Sequence, residues 1–164
     1  MKPIKIQELV EKAKQLQAEC KKWHFHMLTP DCVFNERKDK QAFVLENESD
    51  SEVFIVYSNE RYMKEGKELV RLIHGNSIIN EDLKPKITDK NVELMIEKAK
   101  KLNENGTSWH HHILFPNCMF NKHKGKWCIV FEDKEQNKIL EAVSDDEPKD
   151  NLRAIEILYY KQNQ

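Results

Sequence analysis

Along the chain the apolar positions switch between two periods, and they make the same switch twice. Ile6, Leu9, Val10, Ala13 and Leu16 recur at helical spacing, as do Val92, Met95, Ile96, Ala99 and Leu102. An amphipathic helix is therefore predicted to open each half of the chain. Thr88 or Asp89 can cap the second of these helices, and Gly106 can end it. An extended segment starting at a tryptophan comes next, WHFHMLTPDCVFN at 23–35 and WHHHILFPNCMFN at 109–121. Pro30 and Pro116, each followed by Asp or Asn, read as turns at 29–32 and 115–118. Lysine-rich connections at 36–40 and 122–126 lead to second strands at 42–46 and 128–132. Polar turns at 47–51 and 133–137 lead to third strands at 53–57 and 139–143. Ser58 and Ser144 stand where a helix cap belongs, Ser144 with Glu147 as a capping box. The closing helices carry Met63, Leu69, Leu72 and Ile73, then Leu152, Ile155, Leu158 and Tyr159. Each half reads α-β-β-β-α.

The two halves are copies. At an offset of 86 residues, positions 11–72 align without a gap on 97–158, and 19 of the 62 pairs are identical. Chance would give about one pair in fifteen, so one folding unit has been duplicated. Within the tryptophan segment, eight of thirteen pairs are identical, including every even-numbered position from His24 to Phe34. Side chains alternate faces along an extended chain. One face has been held while the other drifted.

The expected fold class is α+β, a tandem duplication of an α-β-β-β-α unit with antiparallel sheets, packed with pseudo-twofold symmetry. The first repeat spans 1–75, a polar linker holding Pro85 spans 76–87, and the second repeat spans 88–164. A unit of about 70 residues has a marginal core, which favours packing of the two into one body. Trp23 and Trp109, retained at the strand starts, are expected to be largely buried beside the opening helices.

Composition narrows the function classes. The 164 residues carry 27 basic and 28 acidic side chains, so no net field favours nucleic acid as a partner. No apolar run approaches the roughly 20 residues that span a bilayer, and the amphipathic N-terminal stretch holds no signal-peptide core. A soluble cytoplasmic protein, monomer or homodimer, is expected, with a small-molecule or protein partner left open. Four cysteines are too few for a disulfide scaffold. Only Cys32 and Cys118 occupy equivalent repeat positions; Cys20 and Cys128 read as fillers.

The candidate chemistry lies in the histidines. Five of the seven fall inside the two tryptophan segments: His24, His26, His110, His111 and His112. Histidines two apart on a strand share a face with Cα atoms about 6.6 Å apart, close enough to converge on one cation. His24 with His26, and His110 with His112, are thus the candidate metal ligands. Cys32 and Cys118 are candidates to complete the shell, as are Glu46 and Glu132, an acidic pair retained in both repeats. Nitrogen and sulfur ligands favour zinc or another divalent transition metal. A straight strand would carry Cys32 about 20 Å from His26, so the cysteine can join only if the chain reverses at the proline turn. His111 replaces Phe25 and points to the other face; His74 and His123 have no counterparts and read as surface residues. Asn35 and Asn121 read as turn caps.

Three readings follow. The first is a soluble metal-binding protein with a His-x-His-based site in each repeat, with hydrolysis by a metal-bound water as its enzymatic extension. The paired histidines are also similar in symmetry and spacing to those of the two-histidine phosphoesterases, although His26 and His112 stand where that family has a hydroxyl. That resemblance implies a second reading, metal-free acid–base catalysis on a phosphoester. In the third, the motif is structural and the chain is a non-enzymatic interaction module. Metal binding, if present, is expected to weaken as pH falls through about 6.5, where histidine ordinarily protonates.

Overall fold

The structure, a computed structural model, describes residues 2–74, 85–135 and 138–162. It divides into two units, Met1–Ile78 and Ile79–Gln164. Most of the segment read as a linker, and the side chains of Met63 and His74, lie outside the described residues.

The first unit runs β1 (Lys2–Pro3), α1 (Ile6–Ala18), β2 (Trp23–Leu28), β3 (Gln41–Asn47), β4 (Glu52–Ser58), α2 (Met63–His74). The second runs α3 (Lys90–Glu104), β5 (Trp109–Leu114), β6 (Trp127–Asp133), β7 (Lys138–Ser144), α4 (Lys149–Gln162). The α-β-β-β-α order is therefore present twice, with an antiparallel three-stranded meander in each unit. The first unit adds one pairing that has no equivalent among the described residues of the second: Lys2 and Pro3 lie parallel to Phe54 and Ile55 at the edge of β4. Two residues are too short for periodicity to reveal. Among the described residues no helix is long and apolar enough to cross a membrane.

The opening helices bury the ten residues their spacing predicts, five on α1 and five on α3. Against them the first unit packs Phe43, Leu45, Phe54, Val56 and Leu69, and the second packs Trp109, Ile129, Phe131, Ala142 and Ile155. Trp23, Phe25 and Met27 join the helix side of the first unit from β2. The drifting, odd-numbered face of the motif is thus the face that meets the helices. Its drift is compensated locally. A Cβ on Gly66 would meet Phe43 Cε1 at 3.4 Å and Met27 Sδ at 3.5 Å. At the matching positions the second unit has Leu152 on its helix and Ile129 on its strand. Bulk has moved from sheet to helix, as close packing requires.

Helix ends differ in part from expectation. Asp89 caps α3, accepting from the Asn91 N–H at 2.8 Å. Gly106 ends α3 at φ +69°, and Cys20 holds the same place after α1 at φ +54°. The Lys21 and Thr107 N–H groups close these ends on Leu16 O and Leu102 O at 3.0 and 2.8 Å. Ser58 and Ser144 do not cap the closing helices, which begin further on at Met63 and Lys149. Ser58 Oγ instead accepts from the Glu60 N–H at 2.9 Å and Ser144 Oγ donates to Asp146 O at 2.9 Å, so both serve local turns.

The two tryptophans are not equivalent. Trp109 is 2% exposed, packed at tilted and edge-on angles against Phe131 and Tyr159 with centroids 4.8 and 5.6 Å away. Trp23 is half-buried. Both still tie strand to helix: Trp23 Nε1 donates to Gln17 Oε1 at 3.2 Å, and Trp109 Nε1 to Asn103 Oδ1 at 2.6 Å.

Candidate metal centres

The retained, even-numbered face of β2 and β5 is buried. His24 and His26 are each 4% exposed, His110 is 8% and His112 5%. Register supplies the third group. His24 lies directly across from Glu46 on β3, and His110 from Glu132 on β6. The alternation of strand faces thus brings His-x-His and a retained glutamate together inside each unit. His24 Nε2 stands 3.2 Å from Glu46 Oε2, and His110 Nε2 3.2 Å from Glu132 Oε2. The two imidazoles of each pair meet edge to face, with centroids 5.0 Å apart in both units.

All eight residues singled out by the sequence fall into two buried groups positioned to hold a metal ion. In each, two histidines, one glutamate and one cysteine have ligand atoms within 4.8 Å of one another. His24, His26 and Glu46 form the part built within the first unit, and His110, His112 and Glu132 the part built within the second. Cys32 and Cys118 are the remaining members. In a tetrahedral zinc shell, ligand atoms bonded at about 2.1 Å lie about 3.4 Å apart. The 3.2 Å histidine–glutamate separations already match such an edge.

Pro30 and Pro116 each sit in a hydrogen-bonded turn. The Cys32 N–H bonds Thr29 O at 3.0 Å and the Asn35 N–H bonds Cys32 O at 3.0 Å, with the same pair at Cys118 and Asn121. Asn35 then pins the connection. Its Nδ2 donates to Thr29 O at 2.9 Å, Lys40 O at 2.7 Å and Leu28 O at 3.4 Å, while its Oδ1 accepts from the Arg37 N–H at 3.0 Å. Asn121 repeats this with Phe115 O, Lys126 O, Leu114 O and the His123 N–H. Lys38 Nζ donates to Cys32 O at 2.8 Å and Lys124 Nζ to Cys118 O at 2.7 Å. Each cysteine, fully buried, is therefore held from both sides. The asparagine is the turn cap read from the sequence.

One group at the site escaped the repeat comparison. Glu48 lies one strand step beyond Glu46, and its Oε1 is 2.8 Å from His24 Nδ1. Its counterpart 86 residues on is Lys134. Identity between the halves could not mark a residue that only one half has; the i, i+2 spacing from Glu46 was the available signal. In the second unit His110 Nδ1 is buried with no hydrogen-bond partner among the described residues.

Burial governs the imidazoles. It pushes His26 down to about 3, with repulsion from His24 adding and Glu46 opposing. Burial also lowers His110, against the pull of Glu132, and the Lys134 charge lowers it further. Both therefore favour the neutral form that binds metal. His111 is on the other face, its ring centroid 5.5 Å from that of Tyr159 on α4, and burial takes it down to about 4. His123 is a surface residue, its Nε2 3.5 Å from Glu141. Cys20 is exposed and Cys128 buried, the latter pushed up to about 11 by burial, which keeps it an inert thiol.

Comparisons with protein-family models, with curated proteins and with solved structures find no match to this chain. The functional reading rests on the geometry of the site.

Proposed function

We propose that this is a metal-binding protein that holds zinc at a His-x-His centre in each unit, with glutamate and a cysteine thiolate completing each shell. The observation that carries the reading is the pair of buried His2GluCys groups, built from the same positions of a duplicated sequence. Two nitrogens, one carboxylate oxygen and one sulfur suit zinc and its neighbours among the transition metals, and do not suit magnesium or calcium.

Burial bears on what the metal does. The ligand residues are between 0 and 8% exposed. A shell of four protein ligands in such surroundings is the closed type that stabilises a fold or stores an ion. Hydrolysis would need an open coordination position, and acid–base work on a phosphoester would need access for a charged substrate. The closed centre is the better reading, and it makes metal and stability inseparable.

Untagged protein, incubated with zinc, desalted and measured by elemental mass spectrometry, is expected to retain about two equivalents per chain. Loading with cobalt is expected to give a sulfur-to-metal charge-transfer band. The paired change His110→Ala with His112→Ala leaves one centre. In that background one of Cys32→Ser and Cys118→Ser is expected to remove the remaining band, which names its thiolate donor. Retention of less than about a tenth of an equivalent would end the metal reading and leave the histidines a structural role.

A further inference from the structure

The two centres share their ligands and differ immediately behind them. In the first unit the ring of His24 is held at both nitrogens by carboxylates, Nε2 at 3.2 Å from Glu46 and Nδ1 at 2.8 Å from Glu48. Glu46 belongs to the ligand set, so Glu48 is left as a partner for the outer nitrogen. A carboxylate on the outer nitrogen of a ligating imidazole fixes its tautomer, aims the inner nitrogen at the metal and raises its basicity. In the second unit the strand and the His–Glu edge are the same, with Nε2 of His110 at 3.2 Å from Glu132. Behind it, though, His110 Nδ1 is buried and without a hydrogen-bond partner among the described residues, and Lys134 replaces the glutamate. A positive charge there repels a divalent cation and does nothing to orient the ring.

Resting on the proposed metal reading, we infer that the two centres are unequal by construction. The first, backed by Glu48, is a tight site. The second, backed by Lys134, is a weaker site that fills and empties over a higher range of free zinc. Loss of such an outer partner typically lowers metal affinity about 10–100-fold. A single chain would thus combine a resident ion with an exchangeable one, and occupancy of the second centre would follow the free metal level. Glu48 and Lys134 act through the histidines and are positioning residues.

The test is a titration of metal-free, full-length protein with zinc against a chelator competitor of known affinity, read alongside the histidine ring signals by NMR. Two steps are expected, with His24 and His26 signals shifting in the first and His110 and His112 in the second. The decisive variant is the exchange Glu48→Lys with Lys134→Glu, which keeps composition and net charge. It is expected to reverse the order in which the two histidine pairs respond, a result that general loss of structure cannot produce. Glu48→Gln alone, which keeps the shape, is expected to bring the two steps together. Two equal steps in the native protein, or an unchanged filling order in the exchange variant, would overturn the inference while leaving the metal reading intact. An absence of any zinc-dependent shift would instead remove the metal reading itself.

Discussion

Asn121 offers the sharpest test of how the cysteine loop is held. Its side chain is 1% exposed and makes three well-formed bonds, to Phe115 O at 2.9 Å, to Lys126 O at 2.7 Å and from the His123 N–H at 2.8 Å. A fourth, to Leu114 O, is long at 3.4 Å and counts for little. At about 1 kcal/mol each, Asn121→Ala is expected to cost about 3 kcal/mol. Asn121→Asp is the more informative change, because a carboxylate oxygen would replace the donor and face three carbonyl oxygens. If the side chain mattered only for filling space or for polarity, aspartate would be the milder substitution. The geometry predicts the opposite at pH 7, with aspartate worse than alanine by about 1–2 kcal/mol. The pH dependence follows. Burial among carbonyls raises the new carboxyl above its unfolded value of about 3.9, so the folded state favours the protonated form. The excess penalty is full above the raised folded value and shrinks as pH falls through it. Urea unfolding followed by circular dichroism at pH 7 and pH 5 measures both terms, and Asn35 is expected to behave in the same way. Aspartate tolerated as well as alanine at pH 7, or a gap that ignores pH, would refute this account of the loop.

Three further outcomes are expected. Cys20→Gly should stabilise the first unit by about 0.5–1 kcal/mol and Gly106→Ala destabilise the second by about 1 kcal/mol, since both positions lie at positive φ, as thermal melts can check. Trp109→Ala should cost about 3–5 kcal/mol in denaturant unfolding and Trp23→Ala clearly less, because only Trp109 is fully enclosed; equal costs would show that burial is not what separates them. His26 is pushed down to about 3 when folded against about 6.5 unfolded, so the unfolded chain takes up its proton first. The stability from this group is therefore complete above about 6.5 and is lost as pH falls towards about 3. Melts of chelator-treated protein between pH 7 and 4.5 should decline less in His26→Leu than in the native chain. The same shift moves the acid limit that His26 sets on metal binding below the 6.5 expected of an ordinary histidine.

Much of the fold was legible because it rests on periodicity. The ten buried positions of α1 and α3 follow from spacing alone, and the strand bounds fall within one residue because the apolar runs in 42–46 and 128–132, buried throughout and followed by polar turns, reach nearly to the strand ends. What was missed depends on the backbone rather than on pattern. Ser58 and Ser144 look like caps in sequence, but a short turn uses their hydroxyls before the helix begins. The β1 pairing depends on an open sheet edge, which no local sequence records. At the site, the retained His, Cys and Glu positions were visible as identities, while the comparison of the halves passes over Glu48 because they disagree there.

The proposed metal centres give that disagreement and those identities one physical origin. The odd-numbered face of the motif packs on helices from its own unit, where a change on the strand can be offset by a change on the helix, as Phe43 with Gly66 against Ile129 with Leu152. The even-numbered face has no such freedom if its side chains must reach one point in space. A histidine displaced by one residue would turn to the opposite face, and a glutamate out of register would leave the 3.2 Å edge. Coordination tolerates no compensating volume swap, because bond lengths to a metal vary by only tenths of an ångström. Residues behind the ligands are held less tightly, since they alter affinity without deciding whether an ion is held at all. The pattern of drift within this one chain, free on the helix face, fixed at the ligands and divergent at Glu48 and Lys134, is the pattern a pair of metal centres of graded strength would leave.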